Sequence, residues 1–291
     1  MDTSSRLTTR PLHPLFGLKA IVDDLSACTP DIIAELDRLI GMAGLLLIRD
    51  ARLDEAGLAR LARSFGTLQN LTGTNADAPD IFRVSNLAQD GTLRAPDDKA
   101  RARHEANKLW HTDSSFMTPG ASYSFLHAWV VPEDGKDTLF CDGRVAWDAL
   151  EPNRQTELRP LVALHSMQHS WRRVGVTMPD LDFMEPVARK LVRRHQPSGR
   201  DTLVIPSHVE RIVGLSGQRS LDLIEELTAL ASVPQRVYRH HWRAGDLLVW
   251  DNRCMLHRAS RSGADDQPRD LRTCRLVDTE DDGLADMPAA A

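Results

Sequence analysis

Apolar residues near the start of the chain repeat at helical spacing and then form one continuous run. After Thr29-Pro30, a pair typical of a helix N-terminus, the repeat comprises Ile32, Ile33, Leu36, Leu39 and Ile40. This pattern predicts a helix over about 30–42. The apolar run 44–48 predicts a short buried strand, and Asp54 predicts the N-cap of a second helix that ends near Gly66.

Before the first helix and beyond the second, the pattern predicts short strands separated by turns. Strands are predicted at 12–22 (broken by Pro14), 81–84, 123–131, 138–141, 236–242, 246–250, 255–259 and 271–277, with a hairpin around 196–199. Helical spacing is found at 145–164, interrupted at Pro152, and again from Ser216 or Ser220 to Leu230. Because strands and helices do not alternate regularly, we predict a mainly β fold: a β-sandwich or jelly roll with peripheral helices.

The domain organisation follows from length and local composition. We predict one domain over 1–291, with residues 1–10 and 279–291 as disordered tails because they are polar or rich in Asp. Residues 88–107 mix Gly, Pro and charged residues without a period, which predicts a long surface loop. A lid over a site and a merely solvated excursion are equally good interpretations of that loop.

Composition and charge exclude few classes of function but disfavour some. The 291 residues are 42% hydrophobic and 26% charged, and 36 Lys and Arg against 41 Asp and Glu give a net charge of -5. Nothing here favours nucleic acid or an anionic membrane as a partner. No apolar run approaches the roughly 20 residues of a membrane span, and no secretory signal is visible, so the cytoplasm is the expected location. The four cysteines are widely spaced, which favours free thiols over a zinc knuckle or disulfides.

A His-x-Asp motif lies in the stretch 110–116. In a strand, side chains two apart share a face, so His111 and Asp113 point the same way. Two imidazoles and one carboxylate can hold Fe(II) and leave three coordination positions open. The motif alone also occurs by chance, so a second histidine is needed to give it weight.

Among the eleven histidines, His257 has the most suggestive setting. It follows an apolar strand, a polar Asp-Asn turn and the start of a returning strand within 245–258. Such a return would bring His257 into the core from the opposite side. His240 and His241 are adjacent on a predicted strand and must point to opposite faces, so at most one of them is internal.

The motifs at 107–116 and 250–258, in this order, resemble the Fe(II)- and 2-oxoglutarate-dependent dioxygenases of the taurine dioxygenase and 2,4-dichlorophenoxyacetate dioxygenase family. The phenoxyacetate branch is the more similar, since 11–16 and 137–142 also resemble it and the likeness continues to about Leu276. The resemblance implies a double-stranded β-helix (jelly roll, cupin-like) core. It also implies that His111, Asp113 and His257 bind Fe(II), that 2-oxoglutarate chelates the iron, and that O2 takes the last open position.

The resemblance further implies how 2-oxoglutarate is held. Arg269 matches the arginine that grips the far carboxylate, a task that suits a planar guanidinium. Thr138 matches a position whose hydroxyl supports the same carboxylate, with an ordinary strand residue as the alternative. Trp110, Phe116 and Trp250 are candidates for an aromatic pocket or for core packing, and we place Trp250 at the cofactor site.

One departure from the family pattern concerns the substrate. Members that bind acidic substrates commonly carry an arginine four residues after the one that grips 2-oxoglutarate, and this chain has Thr273 there. On a strand Arg272 would face away from Thr273. The remaining candidates for binding a substrate anion are Arg275, Lys108, Arg83 and the basic segment 99–103, for which simple solvation is the preferred interpretation.

The expected function is therefore hydroxylation of a small organic acid, most plausibly an aryloxyalkanoate such as 2,4-dichlorophenoxyacetate. The products would be a phenol and glyoxylate, together with succinate and CO2. A carboxylate at 113 argues against a halogenase. Three alternatives stay open: a dioxygenase of the same family acting on a sulfonate or alkyl sulfate, a zinc hydrolase, and a non-catalytic β-sandwich binding protein. We also expect a homo-oligomer.

Overall fold

The computed structural model describes residues 7–70, 81–95, 105–132, 136–176, 184–260, 267–280 and 282–286. The strands of these residues are β1 (Leu7–Pro11), β2 (Leu18–Val22), β3 (Leu45–Ile48), β4 (Phe82–Ser85), β5 (Ala121–Val130), β6 (Thr138–Asp142), β7 (Val162–His165), β8 (Val187–Lys190), β9 (Val192–His195), β10 (Arg200–Leu203), β11 (Val209–Ile212), β12 (Tyr238–His240), β13 (Leu247–Asp251), β14 (Met255–Ala259) and β15 (Asp270–Val277). The helices are α1 (Pro30–Ala43), α2 (Glu55–Arg63), α3 (Gly143–Asp148), α4 (Pro152–Leu158), α5 (Met167–Arg172) and α6 (Gly217–Ala231).

Two sheets pack face to face and enclose an apolar interior. The large sheet has the order β1-β2-β3-β13-β5-β15-β4, and the small sheet has the order β12-β6-β14. Side chains from both sheets meet between them in one buried cluster, which includes Leu47, Leu126, Phe140, Trp250 and Leu271. This arrangement is a jelly roll, so the predicted fold class is confirmed.

The outer face of the large sheet is covered by α1 and α2. Side chains alternate along β3, so Leu45 and Leu47 point into the jelly roll while Leu46 and Ile48 pack with the two helices. Burial on both faces explains why the run 44–48 is apolar throughout. The predicted helices are confirmed to within a few residues, because their end signals act locally. Thr29 and Asp54 accept hydrogen bonds from the first turns, and Gly44 ends α1 at a φ of 75°.

A second layer of short strands and helices covers the other end of the molecule. Its apolar core is formed by α6 with the sheet β11-β7-β8 and the hairpin β9-β10. Here the predicted helical spacing over 145–164, interrupted at Pro152, is confirmed as far as Leu158 and is wrong beyond it. The chain forms α3 and α4 and then the strand β7. Pairing of β7 with β8 and β11 overrides the local periodicity, which cannot distinguish a short apolar strand from a helix turn.

The prediction of disordered tails is wrong for those parts of 1–10 and 279–291 that the structure describes. Leu7–Pro11 pairs with Leu18–Val22 as a hairpin, which sequence polarity alone does not reveal. Near the other end Leu284 forms an isolated bridge with Arg189, and Asp282 pairs with Arg193. These polar residues are ordered by partners that are distant in sequence. Residues 1–6 and 287–291 lie outside the described residues.

Two further expectations concern the loop and the cysteines. Residues 88–95 form a turn closed by a hydrogen bond from Ala88 N to Thr92 O, but 96–104 lie outside the described residues, so the lid stays a prediction. All four cysteines are free, as expected. Among the described residues no helix is long and apolar enough to cross a membrane. The single-domain organisation of 1–291 also stays a prediction.

Replacing Leu58 by Ala tests the contribution of the outer layer. Leu58 is fully buried where α2 packs on the large sheet, so L58A should leave a cavity and lower the free energy of unfolding by about 2–5 kcal/mol. Urea unfolding measures this change. The control L15A removes a side chain that is 47% exposed and should change the free energy by less than about 0.5 kcal/mol. Equal effects of the two substitutions would contradict this packing.

Candidate metal centre

The three candidate ligands His111, Asp113 and His257 meet inside the jelly roll. One ligand atom from each lies within 4.8 Å of the others, and all three residues are buried. The two imidazole centroids are 4.1 Å apart, and His257 Nε2 is 3.8 Å from Asp113 Oδ2. The predicted constellation is therefore present as a geometric cluster, although His257 is more than a hundred residues from the other two members in sequence.

Backbone pairing explains why the two histidines meet. His111 N donates to His257 O at 2.9 Å, and His257 N donates to His111 O at 2.8 Å. Residues that exchange both hydrogen bonds lie directly opposite each other and point their side chains to the same face. On its other side β14 pairs with β6, where Phe140 is opposite His257. The face that carries both imidazoles is thus the interior face of the small sheet.

Asp113 is held by three neighbours. Ser124 Oγ donates to Oδ2 at 2.7 Å, Arg275 Nη2 contacts Oδ1 at 2.7 Å, and the backbone N–H of Asp113 donates to Asn252 Oδ1 at 3.1 Å. Burial alone would raise the pKa of this carboxyl group. Arg275, the two imidazoles and the Ser124 hydroxyl outweigh burial and hold the pKa well below its ordinary value. The side chain is therefore an ionised carboxylate, the form that binds a metal.

Both imidazoles are in the neutral form that a metal ligand requires. Burial lowers the pKa of His111, and it lowers the pKa of His257 to about 3. His111 Nδ1 lies 2.8 Å from the carbonyl of Leu109, which can only accept, so Nδ1 carries the proton and Nε2 keeps its lone pair. His257 is sandwiched by aromatic rings, with Phe140 stacked at 5.9 Å and Trp250 at 4.6 Å.

Asn252 is a central residue that the sequence reasoning treated only as part of a turn. Its Oδ1 accepts from the backbone of Asp113 and from Trp250 Nε1, and its Nδ2 donates to Ser124 Oγ at 2.8 Å. Its carbonyl also accepts from Thr112 Oγ1 at 2.6 Å. One amide thus connects the His-x-Asp segment, the strand that carries Ser124 and the turn before His257. No local sequence signal marks such a role.

Arg269 and Thr138 lie at one end of the interior. Thr138 is two residues before Phe140 on β6 and so shares the face of His257. Its Oγ1 accepts from Trp242 Nε1 at 3.0 Å. Arg269 is buried with its Nε lacking a hydrogen-bond partner. Burial lowers the pKa of Arg269 to about 10, and the carboxylate of Asp137, next to Thr138, offsets this in part. A buried guanidinium with an unused donor is suited to bind an anion.

The three aromatic candidates occupy different places. Trp250 is buried, packs against the ring of the candidate metal ligand His257, and donates a hydrogen bond to Asn252. It therefore helps to orient His257. Trp110 packs with the second apolar core, and the guanidinium of Arg258 lies 5.1 Å from its ring. For Trp110 the alternative of core packing is therefore the better one. Phe116 packs edge-on against His208 at 4.8 Å.

A second buried cluster, formed by His195, Asp251 and Cys254, is an ion-pair network. Asp251 Oδ2 is 2.9 Å from His195 Nε2 and 2.7 Å from Arg253 Nη2, and Arg144 lies 3.4 Å from the other nitrogen of His195. The two guanidinium groups take the place where a cation would bind. Burial also raises the pKa of the Cys254 thiol, so it stays protonated and is a poor ligand.

Two neutral imidazoles and an ionised carboxylate in the interior of a jelly roll form the donor set of non-haem Fe(II) oxygenases. Comparisons with known proteins agree with this class. A model of the family described as "Taurine catabolism dioxygenase TauD, TfdA family" matches residues 8–275. The chain therefore belongs to the TauD/TfdA family of dioxygenases, as the motifs predicted.

Individual relatives span nearly the whole chain. It is 37% identical to the alpha-ketoglutarate-dependent 2,4-dichlorophenoxyacetate dioxygenase of Cupriavidus pinatubonensis, over 94% of this chain and 98% of that protein. It is 32% identical to the (S)-phenoxypropionate/alpha-ketoglutarate-dioxygenase of Sphingobium herbicidovorans, over 86% and 88%. The crystal structure of AAD-2 in complex with Mn(II) and N-oxalylglycine matches with a TM-score of 0.89 at 31% identity, covering 97% of this chain and 100% of that chain. The names of the two dioxygenases state a dependence on alpha-ketoglutarate, which is 2-oxoglutarate, the predicted co-substrate.

Replacing Asn252 by Ala tests the support of the metal centre. N252A leaves the backbone N–H of Asp113, the Trp250 indole and the Ser124 hydroxyl without their buried partner. We expect the free energy of unfolding to fall by about 2–5 kcal/mol, and the affinity for Mn(II) to fall about 10- to 100-fold. Urea unfolding and calorimetric titration measure the two effects. The exposed Asn153 provides the control N153A, which should match the wild type. Wild-type affinity for Mn(II) in N252A would show that Asn252 does not support the ligands.

Proposed function

We propose that the chain is an Fe(II)- and 2-oxoglutarate-dependent dioxygenase that hydroxylates an aryloxyalkanoate at the carbon between its carboxylate and its ether oxygen. The observation that carries this proposal is the buried cluster of His111, Asp113 and His257, accompanied by a buried guanidinium at Arg269 with an unused donor. The substrate class rests on the relatives that act on 2,4-dichlorophenoxyacetate and (S)-phenoxypropionate.

The reaction balances with O2 as the oxidant. One oxygen atom enters 2-oxoglutarate, which loses CO2 and becomes succinate, and the other enters the C–H bond of the substrate. The hydroxylated carbon then carries both an ether and a hydroxyl group, and this hemiacetal collapses to a phenol and glyoxylate. When bound, Fe(II) with 2-oxoglutarate supplies the activation of O2. The protein supplies the position of the two organic molecules and the exclusion of water.

Particular residues carry out this positioning. His111, Asp113 and His257 would hold the metal through two imidazole nitrogens and one carboxylate, a donor set that leaves coordination positions free for the co-substrate. Arg269 grips the far carboxylate of 2-oxoglutarate, assisted by the Thr138 hydroxyl. Apolar side chains such as Phe140, Trp250 and Leu271 exclude bulk water from the interior.

An anaerobic titration tests the class of enzyme. Adding Fe(II) and then 2-oxoglutarate to the protein should produce the visible charge-transfer band of a chelated keto acid, and the band should shift when the true substrate binds. Release of succinate is then screened with phenoxyacetates, taurine and alkyl sulfates. Succinate release that depends on a sulfonate or alkyl sulfate instead would support the alternative substrate class. Absence of the band in folded protein would contradict the proposal and leave the hydrolase and the binding protein as the alternatives.

Replacing Arg269 by Gln tests the site for 2-oxoglutarate. Loss of charge-assisted hydrogen bonds to a carboxylate should weaken binding of 2-oxoglutarate about 10- to 100-fold, seen as a shift of the titration midpoint of the visible band. Fe(II) itself should still bind. The control R211Q removes an exposed arginine and should behave as wild type. An unchanged midpoint in R269Q would assign the far carboxylate to another residue.

The remaining expectations about partners are carried as predictions. We expect a small organic acid as the substrate, and neither nucleic acid nor membrane as a partner. We also expect a homo-oligomer in the cytoplasm. Light scattering coupled to size-exclusion chromatography measures the oligomeric state directly.

A further inference from the structure

Arg275 lies beside the candidate metal ligands and is not used by any step described so far. On β15 it is paired with Ser124 of β5, and both side chains reach Asp113, Ser124 at Oδ2 and Arg275 at Oδ1. Because side chains alternate, Leu271, Thr273 and Arg275 share the interior face of β15. Leu271 belongs to the apolar cluster between the sheets, which confirms the direction of that face.

The other cations that were candidates for binding a substrate anion have partners elsewhere. Arg272 faces away from Thr273, as predicted: it pairs with Asp270 and Glu55, and its guanidinium lies 4.2 Å from the ring of Trp129. Arg83 pairs with Asp270 at 3.2 Å. Lys108 pairs with Glu105 at 2.5 Å. The segment 99–103 lies outside the described residues.

The guanidinium of Arg275 has donors left for a ligand. Only Nη2 makes a close contact, the one with Asp113, while Nη1 is 3.5 Å from Ser114 Oγ and Nε is buried without a partner. The side chain is 23% exposed, so it is open on one side although its surroundings are buried. A guanidinium offers five donors in a rigid fork that matches a carboxylate. Asp113 alone does not satisfy that fork.

Charge balance points to an anion at the same place. Once a divalent metal is bound, the site holds four positive charges, two on the metal and one each on Arg269 and Arg275. Three negative charges oppose them, one on Asp113 and two on 2-oxoglutarate. These groups leave one positive charge in excess. An excess charge in a buried site is unfavourable, and a substrate with a single negative charge would cancel it.

We infer that Arg275 binds the carboxylate of the substrate. It would thereby replace the arginine that other family members commonly carry at the position of Thr273. This inference rests on the proposed function and specifies its substrate as an organic monocarboxylate. A carboxylate bound beside Asp113 lies next to the metal ligands, so the carbon bonded to it is the one brought nearest to the metal. Attack at that carbon is what cleavage of an aryloxyalkanoate ether requires.

Binding measured without turnover tests this inference. Wild type, R275Q and the control R83Q are loaded with Mn(II) and N-oxalylglycine, and calorimetry records the loading. Each is then titrated with phenoxyacetate and with the uncharged phenoxyacetamide. Because Arg275 also contacts Asp113, each protein is saturated with Mn(II) and N-oxalylglycine before the second titration. We then expect R275Q to bind phenoxyacetate about 10- to 100-fold more weakly than wild type, and to bind the amide as wild type does. R83Q should match the wild type for both compounds.

Each other outcome decides against the inference in a recognisable way. Equal affinity of R275Q and wild type for phenoxyacetate would overturn it and leave the proposed function intact. Failure of R275Q to load Mn(II) would assign Arg275 to the support of Asp113 instead. Failure of the wild type to load would contradict the proposed function as well. Should R275Q not fold, R275K replaces it, because a lysine lacks the fork and should lose several-fold affinity for the acid alone.

Discussion

Two reciprocal backbone hydrogen bonds between His111 and His257 are the constraint on which the site depends. They join segments that are 146 residues apart in sequence (257 − 111) and fix which residues lie opposite each other. A slip by one residue would turn one of the imidazoles to the other face of the sheet and separate the ligands. The positions of Asp113, two residues after His111, and of Phe140, opposite His257, follow from the same register.

The polar cluster that this register creates lies in an apolar interior. The free-energy cost of burying its polar groups explains which residues surround them. A buried carboxylate is unfavourable unless it is paired and hydrogen-bonded. Asp113 has an arginine on one oxygen and a serine hydroxyl on the other, and Asn252 satisfies its backbone N–H. The cluster is therefore a connected network, in which each member holds another in the orientation that a metal needs.

Sequence reasoning succeeded where the signal is local. Thr29-Pro30 and Asp54 mark helix starts through their own backbone preferences, and alternation along a strand placed His111 with Asp113 and turned Arg272 away from Thr273. It failed where the partner is distant. Asn252 acts on residues 128 to 140 positions away, so nothing near it in sequence indicates its role. The strand β7 was mistaken for a helix because its partners, β8 and β11, are what make it a strand.

The spacing of charges along β15 connects the fold to substrate selection. Arg269 directly precedes β15, and Arg275 lies on the interior face of that strand, with Leu271 and Thr273 on the same face between them. At roughly 3.3 Å per residue their backbones are about 20 Å apart, so two anions held by them are kept well separated. Position 275 lies two residues, about 7 Å, farther along the strand than position 273, and the guanidinium of Arg275 contacts the candidate ligand Asp113. If Arg275 binds the substrate anion, as we infer, charge selects for the carboxylate, and the shape of the space beside Arg275 would select among the aryl groups attached to it.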